Sequence, residues 1–345
     1  MENSYIETDL DVIKYLNSKT CNQIINMLEG KNLIGRGFWG FVYKLDIKGH
    51  KISAKIQPLS NNKTWDPSIQ DPRNINIEID LLKTISHYKI TNSFIHFPYF
   101  YKEITCKNQN IIFYEYYSSN LKDLFIKLPS VLFEDFKNIS IQILVSIYFF
   151  QQVTGYYHND IHVENFLVNY LDQPIEQTYN FVNLGLNKSF IFNKFYIGIW
   201  DFANAIPIPI DSSNSNITNV DYIQFKQMFS SFIKKIIDQL VDHSNIIKFC
   251  VSLNIPDFSN YYDKELKKNK LKWSHIKNPE KAIKKFESST KKSFIYWIIE
   301  NKYLDQMIKY LKAKSIDLNV NLPTQQMLDW ISNLPNSLED AISLF

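Results

Sequence analysis

The sequence predicts an α+β fold in two lobes, a small β-rich one followed by a larger, mostly helical one. Three observations carry this. A chain of 345 residues is long for one core and suits two lobes plus additions. Apolar residues alternate across 32–57, and an aromatic strand follows at 111–115, whereas 133–154 and 221–237 repeat at steps of three and four. A hydrophobic content of 45% and an aromatic content of 15% supply apolar surface for both lobes.

Composition excludes several classes. No window reaches eighteen uncharged apolar residues, so no membrane span is expected. The opening MENSYIETDLDVIKYL is polar and acidic, unlike a signal peptide. Cys21, Cys106 and Cys250 are odd in number and far apart, which argues against a disulfide framework or a zinc site. A reducing compartment, cytoplasmic or nuclear, is the expectation. The net charge of +3 implies no strong field over the whole protein, and nucleic-acid binding is not expected.

In chain order, residues 8–29 read as one or two short helices, with Thr8-Asp9 as a capping pair. NLIGRGFWGFVYKLDI alternates around Gly35, Gly37 and Gly40, giving GxGxxG followed by Val42. Glycines let a backbone approach phosphates closely; the same residues also suit a plain tight hairpin. A strand, not a helix, follows them, which disfavours a dinucleotide fold. The next strand, HKISAKIQ, carries Lys55 after Ala54. Residues 57–71 are Pro- and Asn-rich. PRNINIEIDLLKTI then has helical spacing behind Pro72 and carries Glu78, a candidate partner for Lys55 or an ordinary solvated acid. IIFYEYYSSNLKDLF reads as a strand leaving into a linker and a short helix.

FEDFKNISIQILVSIYFFQQVTG fits a long buried helix stopped at Gly155. HNDIHVEN follows at 158–165, then the strand FLVNY. Residues 171–194 read as a hairpin-like excursion before FYIGIWDFA. Asp221 heads a helix with apolar Phe225, Met228, Phe232 and Ile236, where it serves either as a buried anchor or as a simple N-cap. Residues 264–292 hold eleven Lys against Glu265, Glu280 and Glu287, a solvated basic helix face or a patch for an anionic partner. KSFIYWIIENKYLDQMIKYL and PTQQMLDWISNL complete the helical part.

GRGFWGFV, SAKI, Glu78, HNDIHVEN and WDFA, in that order, resemble a divergent member of the eukaryotic protein-kinase superfamily over roughly residues 30–240. The Lys-, Asn- and Ile-rich composition would suit such a kinase from a large DNA virus. The resemblance implies a bilobal protein-kinase-like fold: a helical extension at 1–29, an N-lobe at 30–117, and a C-lobe at 118–345 with its insertion at 171–194. It implies ATP and Mg2+ as cofactors. Gly35, Gly37, Gly40, Val42, Ala54, Lys55 and Leu167 would surround the nucleotide, with Tyr114 at the gatekeeper place and main-chain groups of Glu115 and Tyr117 meeting adenine. Glu78 would orient Lys55. Asp160 would be the base, and Asn165 and Asp201 the metal ligands. Phe202 would pack under the regulatory helix.

Departures from the family pattern bear on substrate and control. His162 stands where most protein kinases have Lys, as in haspin-type kinases and in aminoglycoside and choline phosphotransferases. Asn159 replaces the Arg that receives an activation-loop phosphate, and Ala203 replaces the Gly of DFG. Only about twenty residues separate Asp201 from Asp221, with no APE motif. Three functions compete: a serine/threonine protein kinase, a small-molecule phosphotransferase and a catalytically dead scaffold. Retention of Lys55, Asp160, Asn165 and Asp201 disfavours the last, and the formed glycine loop favours the first. The expected partner is a monomeric enzyme's protein substrate, with acidic sequence around its acceptor.

Overall fold

The computed structural model describes residues 2–30, 32–37, 40–58, 75–106, 109–127, 131–209, 219–252, 295–314, 316, 318 and 322–345. The basic stretch 264–292, the segment 59–74 with Pro72, and 210–218 lie outside the described residues. The described chain is α+β and forms two compact units. The first comprises Met1–Leu121, Asn138–Tyr222 and Asn336–Phe345; the second comprises Lys122–Lys137 and Ile223–Pro335. No described helix is long and apolar enough to cross a membrane.

The first unit is built on a five-stranded antiparallel sheet of order β1-β2-β3-β5-β4. Its strands are β1 (Asn32–Gly37), β2 (Gly40–Ile47), β3 (His50–Pro58), β4 (Phe100–Cys106) and β5 (Gln109–Glu115). Strand side chains alternate between faces, and the sequence uses both. One face carries Leu45, Ile47, Ile52, Ala54, Ile111 and Phe113. These pack with Val12 and Leu16 of α1 (Glu2–Asn17) and Ile24 and Leu28 of α2 (Cys21–Leu28). Thr20 caps α2 through a reciprocal bond pair with Gln23. The other face takes the residues in between, among them Lys55, paired across the sheet with Val42 and Ile112.

One expectation is corrected here. Cys21 of α2 and Cys106 of β4 form a disulfide, with Cα atoms 5.4 Å apart and a sequence separation of 85. Odd cysteine number and wide spacing argued against a disulfide framework. Sequence distance was the wrong measure, because packing of α2 on the sheet brings the two ends together. The free thiol, Cys250, is buried in the second unit, and burial pushes its pKa up.

Close strand approach accounts for Gly40. A Cβ there would collide with the carbonyl oxygen of Ile56 on β3. Gly40→Ala is therefore expected to cost about 1–3 kcal/mol of unfolding free energy, as overpacking does. Urea denaturation would measure it, and an unchanged midpoint would show that β2 and β3 do not approach as closely as this.

The insertion forms a two-stranded hairpin, β9 (Ile175–Phe181) and β10 (Leu186–Phe192). Tyr179, Phe181 and Phe192 are buried, and Tyr179 and Phe181 pack on Phe149 while Tyr179 also meets Phe94. His96 is fully buried beneath Tyr179. Its Nδ1–H donates to the Ile197 carbonyl (2.6 Å), which leaves Nε2 to accept from the Tyr179 hydroxyl. Burial first, with the charge of Lys89 adding to it, outweighs the Ile197 bond and lowers the His96 pKa to about 3. An unfolded His titrates near ~6.5. Between these values the unfolded chain binds a proton that the folded one refuses, so stability falls as pH drops through that window. The thermal midpoint is expected to fall between pH 7.5 and pH 5, and to fall less in His96→Gln. Equal slopes for the two proteins would remove His96 as the cause.

The second unit, in its described residues, is helical and rich in aromatics. It holds α4 (Leu121–Lys127) from Lys122 on, the first turn of α5 (Phe133–Thr154), α6 (Val220–Leu240) from Ile223 on, α7 (His243–Ser252), α8 (Leu304–Ala313) and α9 (Gln325–Ser332). Phe125, Phe136, Phe229 and Phe232 interlock at its centre, with the rings of Phe136 and Phe229 4.6 Å apart. The apolar spacing of α6 is thus a packing face. The last helix, α10 (Leu338–Leu344), returns to the first unit.

Candidate functional site

Every described candidate residue falls in the first unit. Lys55 projects from β3 toward α3 (Ile75–Asn92) and toward the residues after β11 (Phe195–Ile199). Its Nζ donates to Glu78 Oε1 at 2.7 Å and to Asp201 Oδ1 at 2.9 Å. Gln57, two residues along the same strand face, donates to the other oxygen of Glu78 at 3.0 Å. Glu78 has no solvent exposure, so it is a buried ion-pair partner and not a solvated helix acid. Burial pulls the Lys55 pKa down, but the charges of Asp201 and Glu78 outweigh it and hold the ammonium well above its ordinary value. Asp201 behaves reciprocally: burial pushes its carboxyl up, and Lys55 brings it below the usual range.

The catalytic-loop candidates converge on Asp160. His158 is buried and anchored through Nε2 to the Trp200 carbonyl at 2.8 Å. Asp221 accepts the backbone N–H groups of His158 (2.8 Å) and Asn159 (2.7 Å), so it is an interior anchor of this loop and more than an N-cap. Asn165 Nδ2 donates to the Asp160 carbonyl at 2.9 Å and to its Oδ2 at 3.3 Å. His162 Nδ1 accepts the Glu164 N–H at 3.2 Å, and its Nε2 lies 3.6 Å from Asp160 Oδ2. Burial raises the Asp160 pKa, but bonds and charge from His162, then Asn204 and His158, leave it below the ordinary carboxylate value. The carboxylate form is the resting one at neutral pH.

Two non-glycine residues here have left-handed backbone, Asn159 (φ 62°) and Asp201 (φ 68°). Asn and Asp tolerate that region best among side-chain-bearing residues. Ala203, which replaces the glycine of DFG, needs no positive φ here: residues 202–204 make a 3-10 turn, and the positive φ falls on Asp201. Phe202 is buried and stacks on Phe150 with ring centres 5.0 Å apart, while α3 packs against this turn.

The nucleotide-side candidates divide. Gly35 pairs with Val42 and Gly37 with Gly40 across the β1–β2 hairpin, and Val42 shares the sheet face of Lys55. Ala54 is a correction: as the neighbour of Lys55 it points to the opposite face, into the core under α1 and α2. Ser53, two residues from Lys55, holds the place assigned to Ala54 and bonds the Tyr114 hydroxyl. Tyr114 in turn stacks on Trp200, ring centres 3.7 Å apart. Leu167 lies on β8 (Phe166–Tyr170), half-buried and paired with Gly198 of β11.

In the linker after β5, Glu115 spends its N–H on the Tyr99 carbonyl (2.9 Å). Its carboxylate accepts from Lys89 (2.8 Å), the Tyr99 N–H (3.1 Å) and the Tyr196 hydroxyl (3.3 Å). The Tyr117 ring is buried over Gly198, where any Cβ would come within 2.6 Å of its hydroxyl.

Trp200, Gly198, Ser53 and Asn204 are site residues that sequence reasoning missed. A period-two count back from Lys55 would have found Ser53. The other three have no signal beyond their nearness to Asp201. Among the described residues no three His, Cys, Asp or Glu side chains gather as a metal site. Asn165 and Asp201 together offer hard oxygen donors but too few to enclose an ion, which suits a cation sharing its shell with phosphate oxygens. Compared with known proteins, the chain matches no family model, and no characterised protein matches it in sequence.

Proposed function

We propose that this protein is an ATP- and magnesium-dependent serine/threonine protein kinase with a bilobal kinase-like fold. The observation that carries the reading is the Glu78–Lys55–Asp201 relay beside Asp160, in which Glu78 and Lys55 are buried. A lysine held charged between two carboxylates is suited to grip anionic phosphates, and an ionised Asp with one oxygen that meets no donor among the described residues is suited to accept a hydroxyl proton. Magnesium, when bound through Asn165 and Asp201, would neutralise charge on the transferred phosphate. The chain's own contribution is to keep Lys55 charged, Asp160 ionised and the stack of Tyr114 on Trp200 closed behind them.

A small-molecule acceptor is the second reading, favoured by His162 beside Asp160 and by the short run from Asp201 to Asp221. The deciding experiment offers radiolabelled ATP with generic proteins in one arm and amino-sugar or choline acceptors in the other. Transfer to protein Ser or Thr supports the kinase. Transfer to the small hydroxyl compounds alone replaces it with the phosphotransferase. No transfer in any arm, with Asp160→Asn indistinguishable from the native chain, leaves a scaffold.

A further inference from the structure

Asn204 lies three residues after Asp201, at the end of the 3-10 turn, and no motif marks it. Its side chain nevertheless reaches the centre of the site. Nδ2 of Asn204 donates to Asp160 Oδ2 at 3.1 Å. Its carbonyl accepts from Nδ2 of Asn159 at 3.2 Å. Asn159 is thus tied to Asn204, and Asn204 to Asp160, the residue that follows Asn159 in sequence. The three residues close a small ring of bonds between the catalytic loop and the start of the segment after Asp201. Asn159 holds the left-handed backbone that aims its side chain across this gap, and Asp221 fixes its N–H from behind.

We propose that Asn204 is a positioning residue for Asp160, and that Asn159 and Asn204 together form an uncharged clasp holding the segment after Asp201 against the catalytic loop. The inference rests on the kinase reading and adds to it a means of control. Asp160 Oδ2 accepts from two donors, Asn165 Nδ2 (3.3 Å) and Asn204 Nδ2 (3.1 Å), with His162 Nε2 3.6 Å away. A carboxylate oxygen has about two lone-pair sites. Oδ2 is therefore saturated, and Oδ1 is the oxygen left to take the proton of an acceptor hydroxyl. Asn204 selects the rotamer that presents it. Where an arginine would need a phosphate to bridge the same two segments, two carboxamides bridge them directly, with no charge to be supplied. The clasp is closed in the unmodified chain, so the enzyme needs no phosphorylation to assemble its base.

The test compares Asn204→Ala, Asn204→Asp and Asn159→Ala with the native full-length protein produced without phosphorylation. A hydrogen bond to a charged group is strong enough that its loss is expected to lower kcat roughly ten- to a hundredfold, with KM for ATP little changed. Asn204→Asp keeps the volume but turns an acceptor toward Asp160, so it is expected to lose more than Asn204→Ala. Equal kcat in the variants and the native protein, or a loss confined to KM for ATP, overturns the proposal. Phosphatase treatment of native protein is expected to leave kcat unchanged; a large loss would overturn the uncharged clasp. A readout independent of turnover is the side-chain carboxamide NMR signal of Asn204, identified by its absence in Asn204→Ala. It is expected to shift in Asp160→Ala. No shift overturns the proposal even in an active enzyme. A shift in a protein that transfers no phosphate keeps the clasp and overturns the kinase reading.

Discussion

Asp160→Asn is expected to remove phosphoryl transfer while leaving binding of magnesium–ATP largely intact. The substitution preserves shape and the bonds that reach Oδ2 in part, but it removes the negative charge that accepts a proton. General-base contributions run at roughly 10²–10⁴-fold, and the loss in kcat is expected in that range. Binding should survive because Lys55, the proposed phosphate-binding group, bonds Glu78 and Asp201 and not Asp160. Single-turnover kinetics with radiolabelled ATP, beside nucleotide affinity by calorimetry, separates the two effects. Turnover by the mutant within a few-fold of native would take Asp160 out of the mechanism. Lost nucleotide affinity with native turnover at saturation would recast it as a binding residue.

Sequence and structure agree most closely where chemistry and periodicity coincide. The resemblance to protein kinases picks out Lys55, Glu78, Asp160, Asn165 and Asp201, and the fold bonds Lys55 to Glu78 and Asp201, and Asn165 to Asp160. The hairpin at 171–194 and the helix ended by Gly155, at φ 72°, were legible for a similar reason: alternation and a left-handed stop are local properties. What escaped was non-local. Nothing in the separation of Cys21 from Cys106 reveals that α2 lies on β4. The stack of Tyr114 on Trp200 joins residues 86 apart by position, and His96 reaches Tyr179 across 83. Ala54 fits the motif by residue type, but strand alternation turns it to the face opposite Lys55. Asn204 escaped because its role depends on a turn geometry that the DFG-like letters do not specify.

Lys55→Met is expected to abolish activity and to destabilise the protein, and the second effect identifies the first. Lys55 is one-tenth exposed and Glu78 not at all, so the methionine would leave a carboxylate buried with only the Gln57 amide beside it. Removing one partner of a buried pair costs about 3–5 kcal/mol, mainly through the stranded charge. Neutralising that charge should then restore stability. In the double variant Lys55→Met, Glu78→Gln, the urea midpoint is expected to recover most of the loss, while phosphoryl transfer stays absent because no cation faces the phosphates. Recovery of both would mean that Lys55 serves the fold alone. Recovery of neither would mean that the pair is not what holds α3 to β3. Asp201→Asn provides the contrast. It leaves the Lys55–Glu78 pair in place, so stability should change less, and its lost activity should return in part as magnesium is raised. Excess magnesium should do nothing for Lys55→Met, since a metal cannot stand in for a cation anchored on β3. Equal rescue of the two variants by metal would put Lys55 and Asp201 in a single role, and the division of labour between phosphate grip and metal ligand would fail.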